Sequence, residues 1–227
     1  EAARLKATSA DDYDAAVERA VADIDGILGV FAALLRIAQI ESGARREGFA
    51  PVDLSGVFET IIDTYGPVAD DAGYRLAGTV TPGLRIRGDR QLLTQMLANL
   101  VENTIRHTPP GTEIAVSLAP GPDGPVGQVR DTGPGIPEAA REKVFQRFFR
   151  LDAARMTPGS GLGLSLVAAV AQLHEIRVAL ADNRPGLAVT LDFAEPARAV
   201  VPSGRAPARG DAALPRLGPA AAPLRRP

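Results

Sequence analysis

Asparagine and arginine at helical spacing, an aspartate ahead of two glycines, and a glycine cluster before an apolar run are the residues with chemistry to offer. In Asn99-Leu100-Val101-Glu102-Asn103-Thr104-Ile105-Arg106-His107-Thr108-Pro109, the side chains of Asn99, Asn103 and Arg106 project from one helix face. The Asn103 amide oxygen is a hard ligand of the kind magnesium takes, with phosphates and water completing its shell. Arg106 can neutralise phosphate charge. The same residues also suit plain solvent exposure. Asp131-Thr132-Gly133-Pro134-Gly135-Ile136-Pro137 follows a strand pattern. A carboxylate there accepts from an amino group such as adenine's and is repelled by the carbonyl guanine presents. Gly133 and Gly135 allow close backbone approach, and Pro137 suits the first turn of a helix. The segment equally reads as a turn. In Val144-Phe145-Gln146-Arg147-Phe148-Phe149-Arg150 the phenylalanines can anchor a loop while Arg147 and Arg150 swing toward phosphates. A surface helix with a buried aromatic edge fits as well. Gly159-Ser160-Gly161-Leu162-Gly163-Leu164-Ser165-Leu166 opens a helix, where free N–H groups and the dipole favour an anion. No lysine follows as in a Walker loop, and no strand precedes as in a dinucleotide fingerprint.

These residues need a frame, and residues 50–194 supply an α/β pattern. A short strand at 52–54 leads to a helix that Ser55 can cap, running to about Ala69. Residues 75–81 and 84–88 read as a strand pair around Pro82-Gly83. Asp89 can cap a helix that ends at Thr108, where Pro109-Pro110-Gly111 stops it. Strands follow at 113–119 and 126–130 around a turn at 121–124, then a helix at 163–174. A hairpin at 177–181 and 187–193, turning over 183–186, closes the sheet.

Residues 9–42 read as one long helix, with Ser9 and Asp12 in a capping-box variant and Gly43 at its end. Val17, Val21, Ile24, Leu28, Phe31 and Leu35 alternate four- and three-residue steps, a heptad seam that faces a partner helix; Ile37 and Ile40 flank Ala38 in the same register. Residues 195–227 hold seven prolines and six arginines with few large apolar side chains, the composition of a flexible tail. The absence of cysteine excludes disulfides, zinc-thiolate sites and a cysteine nucleophile. A formal net charge of -2 gives no signature of nucleic-acid binding. No apolar run reaches membrane-spanning length, so no membrane contact is expected. The chain starts at Glu1 and reads as a piece of a longer protein.

Taken together, the order and spacing of the four motifs resemble the N, G1, F and G2 boxes of the catalytic domain of bacterial sensor histidine kinases. The resemblance covers roughly residues 51–194, and the 9–42 helix is similar to the second helix of that family's dimerisation domain. It implies an α+β, Bergerat-type two-layer sandwich with a mixed, mostly antiparallel sheet and helices on one face. The organisation expected is a partial dimerisation region at 1–46, an ATP-binding catalytic domain at 50–194 and the tail at 195–227. The implied ligands are ATP and Mg2+. Asn103 would coordinate magnesium, with Asn99 near the same phosphates. Arg106 stands where lysine is more usual, and His107 where an aromatic is common. Asp131 would read adenine, helped by Gly133, Gly135 and Ile136. Ser160, Gly161, Leu162, Gly163 and Leu164 would hold phosphates at the end of a lid spanning about 137–160, which also carries Arg147 and Arg150.

The related hydrolytic ATPases activate water with a glutamate four residues before the metal-binding asparagine. Here that position is Asn99, and an amide cannot act as a base, which favours phosphoryl transfer. Glu102 is the acidic residue that the resemblance implies helps activate an acceptor histidine. The only histidines are His107 and His174, neither in the acidic, proline-containing setting of an acceptor helix, so the acceptor is expected before Glu1. Glu175-Ile176 replaces a usual glycine pair, so the turn is expected to take another shape, with little effect on binding. The resemblance further implies a response-regulator receiver domain as partner and a homodimer through the dimerisation helices. It places the segment in the cytoplasm, with the parent in the inner membrane. The alternatives are a non-catalytic nucleotide-binding module and a serine kinase of the anti-sigma-factor type. The long heptad helix disfavours the latter.

Overall fold

Strict alternation builds the sheet. The computed structural model describes residues 10–41, 46–151 and 160–193. Strand β4 (Glu113–Pro120) buries Ile114, Val116 and Leu118, and β5 (Pro125–Asp131) buries Gly127, Val129 and Asp131. Period-two geometry therefore sets Asp131 on the same face as Val129, the face that the helices cover. Strands β2 (Arg75–Val80), β6 (Arg177–Asp182) and β7 (Leu187–Asp192) complete a five-stranded sheet in the order β2-β4-β5-β7-β6. Only the β2–β4 pair is parallel. The result is the two-layer sandwich expected, a mostly antiparallel sheet under helices.

Three helices form the second layer. Helix α2 (Leu54–Asp71) lies on β2, and α3 (Arg90–His107) packs between α2 and α4 (Gly163–Leu173). Phe58, Leu93, Leu97, Val101, Val167 and Val170 meet Val116, Leu118 and Leu191 in one core. Asp89 caps α3, its Oδ1 accepting from the amides of Gln91 and Leu92 at 2.9 and 3.2 Å. The other end of α3 is fixed by Tyr74, whose hydroxyl lies 2.7 Å from the carbonyl of Ile105 and 2.6 Å from that of Thr108. The segment 99–108 is thus held at both ends before any ligand is considered.

Two local expectations fail. Residues 75–80 and 85–88 do not pair with each other: β2 runs parallel to β4, and β3 (Arg85–Gly88) pairs antiparallel with β1 (Ala50–Asp53). The Pro82-Gly83 turn is present, but its two arms enter different sheets. Ser55 does not cap α2. Asp53 does so, accepting from the amide of Gly56 at 3.2 Å. The buried Ser55 hydroxyl instead donates to the Thr81 carbonyl and accepts from the Leu84 amide, at 2.8 and 3.0 Å, and so pins the turn between β2 and β3.

Helix α1 (Ala10–Glu41) is continuous. Val17, Val21, Ile24, Leu28, Phe31 and Leu35 are each more than half exposed, while Ile37 and Ile40 are fully buried. The C-terminal end of α1 packs on α4, and Arg36 donates to the Gln95 side chain of α3 at 2.7 Å. Ser9, Gly43 and the 195–227 segment lie outside the described residues. Among those described, no helix is long and apolar enough to cross a membrane.

Candidate functional site

A cleft of about 700 Å³ opens between α3, the end of β5 and the start of α4. Asn103, Arg106, His107, Asp131, Gly135, Ile136, Arg150, Ser160, Gly161, Gly163 and Leu164 all line it. Three residues four or three apart on α3 do not reach it equally. Asn103 and Arg106 do, whereas Asn99 folds back, its Nδ2 donating to the Gln95 carbonyl at 2.8 Å.

Asn103 is the unusual polar group of the helix layer. Its Nδ2 is buried and, among the described residues, has no hydrogen-bond partner. Burying an amide without a partner is costly, and such atoms are rare in folded proteins. Gly163 explains how the amide fits: a Cβ there would stand 3.1 Å from Asn103 Oδ1, tighter than ordinary contact. The glycine at the first position of α4 lets that helix close on the asparagine.

Asp131 is the unusual polar group of the sheet layer, only 5% exposed. Its Oδ1 accepts from the amides of Gly133 at 2.8 Å and Leu187 at 3.3 Å. Both amides fall on one oxygen, so Oδ2 is the acceptor open to a ligand. Burial pushes the carboxyl above its usual range, and the two amides pull it part of the way back. Ile136, Leu187 and Val189 supply apolar walls beside it.

The cationic side of the cleft is Arg106 and Arg150, with His107 between them in charge terms. Burial first, then these two guanidiniums, holds His107 below its ordinary value, so its imidazole is neutral at physiological pH. Arg147 lies outside the cleft and pairs with Glu41 of α1. The two glycine-rich and aromatic motifs are tied together: the Phe148 amide donates to the Gly161 carbonyl at 3.0 Å, and Phe148 itself takes φ 62. Leu162 contributes backbone alone, since its side chain is 1% exposed in the core. Gly133 is likewise set behind the cleft, against Thr108. Glu102 is outside it too and accepts from the Tyr65 hydroxyl. Burial first, and then Glu102, drives the Tyr65 phenol well above its usual range.

Sequence reasoning placed the β6–β7 turn but missed its contact with Asp131. The Asn183 side chain donates to the Asp131 carbonyl at 2.7 Å, and Gly186 packs against the same residue. A glycine in a turn gave no signal beyond the turn, because the partner is some fifty positions away in sequence.

Among the described residues, no group of three His, Cys, Asp or Glu side chains could hold a metal. The donor set instead fits a cation that brings phosphate ligands with it. A half-turn of the Asn103 amide exchanges its two end atoms, so the same buried position can offer an oxygen to that cation.

Comparison with known proteins agrees with the fold. The family described as "Histidine kinase-, DNA gyrase B-, and HSP90-like ATPase" matches residues 88–197. The sensor-like histidine kinase SenX3 of Mycolicibacterium smegmatis is 31% identical over 193 residues, covering 83% of this chain and 50% of the relative. The solved structure of the mycobacterial sensor histidine kinase MprB is 35% identical, with a TM-score of 0.56, and covers 63% of this chain and 95% of that one. The ATP-binding domain of PrrB from Mycobacterium tuberculosis is 25% identical at a TM-score of 0.53, covering 65% and 98%. The chain spans about half the length of the curated relatives it matches.

Proposed function

Since this chain belongs to the sensor histidine kinase family, we propose that its cleft holds ATP with Mg2+ and presents the γ-phosphate to a histidine outside these 227 residues. The observation that carries the reading is one cleft bounded by two buried polar groups with capacity to spare. One is the Asp131 carboxylate from the sheet; the other is the Asn103 amide from the helices.

In this reading Asp131 Oδ2 accepts from the adenine amino group, and Ile136, Leu187 and Val189 enclose the base. The start of α4, with Ser160, Gly161, Gly163 and Leu164, offers amides and the helix dipole to the phosphates. Arg106 and Arg150 balance their charge. Asn103 holds the magnesium, which when bound draws charge from the phosphate oxygens. Transfer forms a bond between an imidazole nitrogen and the γ-phosphorus as the bridging P–O bond breaks to leave ADP. For Glu102, which stands outside the cleft, to take the proton from the other side of the imidazole, its carboxylate must give up the Tyr65 hydroxyl.

One feature separates transfer from hydrolysis, and a second sets the acceptor elsewhere. Asn99, engaged with its own helix, has no basic atom to activate water. His107 sits in the nucleotide cleft, and both ring nitrogens of His174 are occupied, so neither serves as acceptor. The family supports the rest of the reading. The phosphate passes to an aspartate of a response-regulator receiver domain. The full-length protein forms a homodimer through dimerisation helices, α1 supplying one, and this segment lies on the cytoplasmic side of an inner-membrane parent.

Calorimetric titration with ATP tests the site. Binding should strengthen with Mg2+, and Asn103→Ala should abolish that strengthening while leaving metal-free binding largely intact. Equal Mg2+ dependence in both proteins removes Asn103 from the metal site.

A further inference from the structure

The β6–β7 turn grips Asp131 from beside the glycine motif, with Gly186 against Gly135. Asn183 Nδ2 donates to the Asp131 carbonyl at 2.7 Å, and the Asn183 amide closes the turn on the Gly186 carbonyl at 3.0 Å. Gly186 takes φ +110, and a Cβ there would lie 1.8 Å from the Asp131 carbonyl oxygen, inside any possible contact. The next residue, Leu187, gives its amide to Asp131 Oδ1 at 3.3 Å. One turn therefore fixes both the backbone and one carboxylate oxygen of Asp131.

The consequence follows from geometry. β5 ends at Asp131, which pairs with Ile114 of β4 while the next amide, Thr132, donates to Glu113, so β4 holds one side of the strand end and the turn holds the other. Without the turn, the Asp131 carboxylate loses the Leu187 amide and can rotate to aim either oxygen at the cleft. Discrimination between bases rests on one fixed acceptor in one place; a mobile acceptor can move away from a guanine carbonyl and cease to reject it.

We propose that Asn183 and the Gly186-Leu187 backbone are the positioning device that sets adenine selectivity, acting through Asp131; the Asn183 side chain lies outside the cleft, whereas the Leu187 side chain lines it. The inference rests on the reading of Asp131 as the adenine acceptor. It commits the turn to base identity and leaves the phosphates to α3 and α4.

The test is competition of ATP and GTP against a fluorescent ATP analogue, on the full 227-residue chain and on Asn183→Ala, Asn183→Asp and Asp131→Asn. Asn183→Asp keeps the size of the side chain and removes the donor. In both Asn183 variants ATP affinity should fall about tenfold, the scale of one buried hydrogen bond, with GTP unchanged or tighter. The ATP-over-GTP ratio therefore shrinks. A purely structural role would weaken both nucleotides together and leave the ratio alone, which overturns the proposal; so does an unchanged ATP affinity. Asp131→Asn separates the two layers of the argument. If it collapses the ratio while the Asn183 variants do not, the turn has no part in selectivity. If it leaves the ratio intact, the adenine-reading role falls, and the proposal with it.

Discussion

Asp131 meets two opposed demands. Burial favours its neutral form, yet in the proposed reading it is the carboxylate that accepts from adenine. The amides of Gly133 and Leu187 reduce the conflict without removing it, and the carboxyl stays above its usual range. The sign for stability follows: with the folded value raised, ionisation of Asp131 opposes folding, and this cost sets in as pH rises from the ordinary value of 3.8 through the folded one. For binding the sign is reversed. As pH falls through the raised value a proton occupies the carboxyl, and ATP affinity should decline. Asp131→Asn should cost about 10- to 100-fold in ATP affinity near neutral pH, as expected for losing a charged hydrogen-bond partner. Its affinity should also lack the acid decline, apart from what the phosphates of ATP contribute. Identical pH profiles for both proteins would contradict the assignment. Asn103, Asp131, Gly161 and Gly163 were legible in the sequence because each motif is local: helical spacing or a turn displays the group directly. Asn183 was not, since its meaning lies in a contact with a residue on another strand.

Helices and strands were legible where their periodicity is local, and less so where pairing is remote. Strands β4 and β5 and helices α3 and α4 fall where alternation and capping place them. β2 and β3 were read as a pair because a turn joins them, but β2 finds a longer parallel partner in β4. Alternation within a strand says nothing about which neighbour it takes. The heptad positions of α1 are exposed among the described residues, while Ile37 and Ile40 beside them are buried in the core. The turn after α4 offers a test at this scale. Glu175 takes φ 59, the left-handed region that glycine favours, and its carboxylate meets Arg46 at 3.1 Å with both side chains about half exposed. Left-handed backbone costs a residue with a Cβ about 1 kcal/mol or more, and an exposed ion pair returns about 1 kcal/mol at most. Glu175→Gly should therefore leave stability equal or slightly higher in urea denaturation, with ATP binding unchanged, because Glu175 is outside the cleft. A loss of about 2 kcal/mol or more would show that the Arg46 contact outweighs the backbone strain.

Across the whole molecule, His174 is held neutral within the fold and His107 at the exposed rim of the cleft. His174 donates from Nδ1 to the Val170 carbonyl at 2.9 Å, accepts at Nε2 from the Asp89 amide at 3.0 Å, and stacks on Phe49 with ring centroids 4.5 Å apart. It thereby joins the end of α4, the cap of α3 and the segment that leads into β1. Burial is the main cause of its lowered value, as it is for His107. Both folded values lie below 6.5, so the unfolded chain takes up protons first. Stability should be level above about pH 7 and fall as pH drops below 6.5, and His174→Gln should flatten part of that slope in thermal melts. A melting temperature that does not change across this window would contradict the neutral, doubly bonded His174. The central claim joins these parts: in the proposed reading the sheet holds the base, the helices hold the phosphates, and Asn99 offers no base to activate water. Its most direct measurement is incubation of the chain with γ-labelled ATP, Mg2+ and a separate protein that carries an acceptor-histidine helix. The account predicts acid-labile, base-stable phosphate on that acceptor, absent with Asn103→Ala, and little free phosphate. Steady release of free phosphate with no label on the acceptor would contradict it.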